Sequence, residues 1–213
     1  MSELRKASSI ILANLAMFNE AVVLFENEIE PLFLKALDES IQKWVEEKAQ
    51  AWVGLFENND EGQTWIFPSQ WHSADMDDET DSLAWFNLEF LNGDGSSYDL
   101  ADLCGVGQDE MGFTFRIKYG EFGGKTAWNR FTKSLPTSIV QSLQSLGFND
   151  YGKGVFFIPI KLNPDLLASA WENEDYEELM QPVIVVLENI KQSITIFNEV
   201  FSLAKQAGLG RIE

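Results

Sequence analysis

The chain has 213 residues, 45% hydrophobic and 13% aromatic, with 15 Lys+Arg against 34 Asp+Glu for a net charge of −19. That length supports one substantial core or at most two small domains, and the apolar content argues against intrinsic disorder. No run reaches the roughly 18 apolar residues of a membrane-spanning helix, and a sequence pI near 4.3 disfavours direct binding to nucleic acid or anionic membrane, because phosphate recognition rests on lysine and arginine.

The first third reads as helix. Ile11, Leu15, Phe18, Val22, Phe25, Ile29 and Leu32 recur at alternating steps of four and three, the rhythm of one long packed helix. Glu3, Arg5 and Lys6 ahead of Ile10, Ile11 and Leu12 superficially resemble a secretion signal. Asn14, Asn19 and Glu20 interrupt the apolar run, so the segment is expected to belong to the mature protein. Pro31 either kinks this helix or opens a second one. The pattern continues through Leu34, Leu37, Ile41, Trp44 and Val45 and should stop near Gly54, making residues 1–56 helical.

Residues 64–162 read mostly as β-structure. Ala84, Phe86, Leu88 and Phe90 alternate with Trp85, Asn87 and Glu89. Phe113, Phe115, Ile117 and Tyr119 alternate in the same way with Thr114, Arg116 and Lys118. Phe156, Ile158, Ile160 and Leu162 form a third apolar face, and Trp65, Ile66 and Phe67 a shorter candidate. Asn92, Gly93, Asp94 and Gly95 are strong turn chemistry, and clean alternation with polar outer faces predicts antiparallel pairing. A short helix is expected over residues 136–146, closing on Gly147.

The C-terminus repeats the helical rhythm with Leu187, Ile190, Ile194, Phe197, Phe201 and Ala204, and Gly208 stands as a stop. A helix over residues 176–207 would be on the order of 45 Å long, and Pro182 is best tolerated if it begins near Gln181. The expectation is a single α+β domain over residues 1–213. An antiparallel sheet of about four to five strands packs against long N- and C-terminal helices. The two apolar stripes pack on each other, or one is the seam of a homodimer.

Charge carries the functional signal. Residues 49–115 contain no lysine or arginine but fourteen carboxylates, interleaved with aromatics, and they supply fourteen of the nineteen net charges. A folded surface of one sign projects a field of several kT and selects basic partners. Asp75, Asp77, Asp78, Glu79 and Asp81 place five carboxylates within seven residues, with Asp94 and Asp99 in a second acidic loop and Trp71 as the neighbouring aromatic anchor. These eight residues are the predicted partner-binding set.

Competing chemistries fit less well. A calcium loop of EF-hand type needs Gly at its sixth position and Glu at its twelfth, where the first acidic loop has Thr80 and Phe86 and the second has Ser97 and Leu103. The acid and acid-x-Lys pattern of a Mg²⁺-dependent nuclease is met only by Glu46, Glu47 and Lys48, on a predicted helix. One histidine, His72, and one cysteine, Cys104, nearly exclude a zinc site, and read as a surface imidazole and a buried thiol rather than a catalytic dyad. The lone cysteine also rules out an internal disulfide and fits a reducing, cytoplasmic setting. Gly105–Gly107 and Gly120–Gly124 lack phosphate-loop spacing. Arg116, Lys118, Lys125, Arg130 and Lys133, with Tyr119, Phe122, Trp128 and Phe131 between them, suit either a nucleic-acid groove or neutralisation of the protein's own acidic field, and the second is favoured.

The sequence thus leads to an acidic, non-enzymatic interaction protein with no catalytic residues, metal or cofactor. It would act as an inhibitor, an immunity protein or a nucleic-acid mimic on the basic surface of a nuclease or other DNA-acting protein, itself touching neither nucleic acid nor membrane. The alternatives are a metal-dependent enzyme with dispersed carboxylates, or a domain whose acidity serves solubility alone.

Overall fold

The computed structural model describes residues 3–57, 63–72, 82–93 and 97–210. Helices α1 (Glu3–Ala13), α2 (Leu15–Leu24) and α3 (Glu30–Lys48) open the chain, with a π-helical turn (Phe25–Ile29) joining the last two. Asn14 ends α1: its side-chain amide donates to the Ile10 carbonyl at 2.9 Å and its backbone leaves the helical region, a local competition that asparagine makes readily. The helix axis bends by 87° there. The π-turn follows from Pro31, which has no N–H to offer the Asn27 carbonyl. Instead, the Glu30 N–H donates five residues back, to Phe25.

Six antiparallel strands follow, β1 (Trp52–Phe56), β2 (Thr64–Pro68), β3 (Ala84–Phe90), β4 (Met111–Ile117), β5 (Asn149–Asp150) and β6 (Phe156–Pro159), in the order β1-β2-β3-β4-β6-β5. Short helices α4 (Asp99–Leu103), α5 (Lys125–Thr132), α6 (Thr137–Ser145) and α7 (Leu167–Asn173) lie in the connections, and α8 (Gln181–Gln206) ends the fold. The antiparallel α+β architecture is as the alternation predicted, with one or two more strands.

Register places Gly54, Ile66, Phe86, Phe115 and, one pair along, Phe113 with Ile158 on one face of the sheet. Against that face α8 lays Val183, Leu187, Ile190, Ile194, Phe197, Val200 and Ala204, all buried. Phe197 stacks on Phe115 at 3.9 Å and meets the edges of Phe86, Phe148, Phe156 and Trp71. The C-terminal stripe is therefore core, and its helix begins at Gln181 with Pro182 in the first turn, where the missing N–H costs nothing.

Two expectations need correction. The first helical stretch stops at Lys48 rather than near Gly54, because the β-favouring run Trp52 to Phe56 pairs with β2 and Trp52 packs edge-on to Trp44 at 5.9 Å. More consequentially, the stripe at 11–32 is not packed. Ile11, Leu15, Phe18 and Leu32 are exposed and only Val22, Phe25 and Ile29 are half-buried, because no element among the described residues covers the chain before the π-turn. Burial begins with Phe33, Leu34, Ala36 and Leu37 of α3, which reach α8 and the sheet.

Phe197, 0% exposed, and Phe18, 44% exposed, give the contrast to measure. Phe197→Ala should cost about 3–5 kcal/mol in urea unfolding, as for large core aromatics. Phe18→Ala should cost at most about 0.5 kcal/mol in the protomer.

Candidate functional site

Of the acids in residues 49–115, some are used by the fold, Glu57 is exposed at the end of β1, and the rest lie outside the described residues. Asp75, Asp77, Asp78, Glu79, Asp81 and Asp94 lie outside them. Asp99 opens α4, half-buried. Trp71 is a correction: it is 2% exposed, donates its indole N–H to Asn198 on α8 at 2.8 Å, and packs against Phe86, Phe115, Phe197 and Phe201. Its indole finds both apolar cover and a hydrogen-bond acceptor inside the core, so it is no surface anchor.

Where the described acids of this segment converge, they organise backbone. Asp102, buried, accepts from Ser97 Oγ at 2.6 Å and from the Asp109 amide at 3.0 Å. A side chain at Gly107 would collide with that carboxylate, so glycine lets the loop close over it. Asp109 accepts from the Gly93 amide at 2.7 Å, the Glu110 amide at 2.8 Å, and both the amide and side chain of Asn92. Partial burial alone would raise the Asp109 carboxyl; these four donors override it and hold the group below the usual carboxylate range. A cavity of about 350 Å³ opens here, with Asp102, Asp109, Glu110 and Lys161 in its wall. Glu89 pairs with Arg116 and accepts from Asn87 at 2.8 Å.

Beside this loop, Glu30 of α3 accepts the Leu100 amide at 3.0 Å and so caps α4. Tyr98 donates to Glu26 at 2.8 Å and packs on Phe25. Desolvation, and then the Asp99 charge, push the Glu30 carboxyl above its ordinary value despite the Leu100 bond; desolvation and the Asp102 charge push Asp99 up as well.

Among the described residues a further exposed acidic surface lies outside that segment. Residues 162–190 contain no lysine or arginine, a second base-free stretch that the sequence displays as openly as the first. In it Asp165, Glu172, Glu174, Asp175, Glu177 and Glu178 are all solvent-exposed. Asp165 precedes α7, and the other five form a ridge from the end of α7 towards the start of α8. Glu174 turns the chain with a left-handed backbone (φ 53°), and Asp175 accepts the Glu177 amide at 3.0 Å. Trp171 and Tyr176 clamp the ridge to Phe33 of α3, at 6.3 Å and 5.3 Å.

The remaining candidates become structural. No group of three His, Cys, Asp or Glu suited to a metal is found among the described residues. Cys104 closes α4, buried, and burial pushes its thiol up, away from a reactive thiolate. His72 follows Trp71 in a β-bridge to Ser82. In the basic–aromatic stretch Phe122, Trp128 and Phe131 point into the core, Arg116 pairs with Glu89 and Lys125 lies over Tyr119. Bases could not stack on rings that are buried, so Phe122, Trp128 and Phe131 offer no stacking platform. No protein-family model matches the chain, and no curated protein or solved structure matches it.

The raised Glu30 carboxyl gives a pH prediction. Its ionisation is harder in the folded chain than in the unfolded one, so its contribution is most favourable below the unfolded value and is lost as pH rises through the folded one. Glu30→Gln keeps an acceptor for the Leu100 amide and removes the charge. The variant should match the parent in urea midpoint near about pH 3 and exceed it near about pH 7. An equal or lower midpoint at neutral pH would refute this account of the cap.

Proposed function

We propose that the protein is an acidic interaction module that occupies the basic surface of a partner, the best-fitting class being proteins whose own ligand is nucleic acid. The observation that carries this reading is the pairing of two long base-free stretches, residues 49–115 and 162–190, in a chain of net charge −19. The second of them presents an exposed carboxylate ridge on a rigid aromatic base. A basic groove shaped for phosphates responds to the position of negative charge, and carboxylates held by a fold supply it. Trp171 and Tyr176 stabilise the ridge from beneath. The aspartates at 75, 77, 78 and 81 add to the negative charge of the chain.

The test uses a basic nucleic-acid-binding enzyme that the immobilised protein retains. Association should be fast at low salt and weaken steeply as ionic strength rises, and duplex DNA should compete for the same partner surface. Reversing Glu172, Glu174, Glu177 and Glu178 to Lys should slow association at least tenfold, as should reversing Asp75, Asp77, Asp78 and Asp81, with the unfolding midpoint little changed. Binding that is indifferent to salt and to both reversals would mean that the acidity serves solubility alone.

A further inference from the structure

The N-terminal arm, α1 and α2, is the one described part of the chain that the fold leaves uncovered. Residues 5–21 are exposed without interruption, and no side chain of α2 is buried. Yet Leu12 at 69%, Met17 at 65% and Leu15 at 58% exposure stand among Ile10, Ile11, Phe18, Val23 and Leu24. Apolar side chains surround α2 on all sides, the signature of a helix that is covered in use. At 11 residues α1 is also below the roughly 12–15 residues at which an isolated helix becomes even marginally stable in water, and α2, though continued by the π-turn into α3, buries no side chain of its own. An occupant is needed.

We infer that the occupant is a second copy of this chain, the two arms packing on each other. Eight large apolar side chains, each about half exposed, present roughly 800 Å² per protomer, the amount each partner of a standard stable interface buries. The arm also fits a copy of itself electrostatically. Residues 1–25 sum to zero formal charge and residues 7–25 carry a single ionisable side chain, Glu20, so the whole −19 lies on the body. Two arms can therefore meet without bringing like charges together, and each is about 15 Å long per helix, beyond the Debye length of about 8 Å at physiological salt. A lipid surface fits less well. Interfacial helices carry lysine and arginine along their polar face, whereas the bases of α1 and α2 are confined to Arg5 and Lys6 at the start of α1 and residues 7–34 contain none. The 87° bend at Asn14 also divides the apolar run, and no single helix among the described residues is long and apolar enough to span a bilayer.

This inference is independent of the basic-partner reading and has the opposite salt dependence. Sedimentation equilibrium of the full chain should give twice the 24.1 kDa protomer mass, with the dimer tightening as salt screens repulsion between the acidic bodies. The double variant Leu15→Glu, Phe18→Glu should be monomeric at concentrations where the parent is a dimer. Its near-ultraviolet dichroism should be unchanged, because both side chains lie outside the core. Reversing Glu177 and Glu178 to Lys should leave the dimer in place. A monomeric parent would overturn the inference, and flotation of that monomer with phosphatidylcholine vesicles would reassign the arm to a lipid surface. A dimer that survives the double variant, or that weakens with salt, would overturn it equally.

Discussion

The stack of Phe197 on Phe115, 3.9 Å between ring centres, is the contact on which the fold turns. Phe115 lies on β4, which pairs with β3 on one side and β6 on the other, and Phe197 lies midway along α8. Rings from β3, β6, the segment after β2 and the loop before β5 gather on this pair, and Phe201 extends the cluster to Phe122 and thence Trp128. Aromatic side chains bury 150–250 Å² each, roughly, and prefer the edge and offset contacts seen here. A chain this acidic stays compact because so much apolar area is gathered behind one sheet face, which obliges the charges to go elsewhere.

Where they go separates the carboxylates into two kinds. Asp102, Asp109 and Glu30 face inward at the connection from β3 to β4 and accept backbone N–H groups that the loop would otherwise leave without partners. These bonds fix the course of the loop, so these acids are part of the architecture. The carboxylates from Glu172 to Glu178 project into solvent from a turn fixed by Trp171 and Tyr176. Fixed surface charge of one sign is what a complementary basic surface selects. The arm at the N-terminus is the counterpart of this body: uncharged where the body is acidic, and apolar where the body is polar. Self-association and recognition of a basic partner would use separate surfaces with opposite responses to salt.

The strands β3, β4 and β6, and the helix α8, were legible because their alternation has one period and one buried face. The base-free stretches were equally legible, since charge is a property of composition; the one at 162–190 was visible in the sequence and simply outshone by its denser neighbour. Burial was not legible where periodicity is ambiguous. Ile11 to Leu32 shows a heptad rhythm whether or not anything faces it, and Trp71 beside an acidic loop looks like an anchor until Asn198, 127 residues away in sequence, is seen to accept its N–H. Sequence by itself determined the antiparallel α+β class, the long C-terminal helix and the field of negative charge, because each follows from local pattern or from a sum over residues. Only the tertiary structure decided which apolar stripe is core and which acids are capping groups. Both depend on which distant segment lies opposite, and in an isolated sequence no residue type states what it will face.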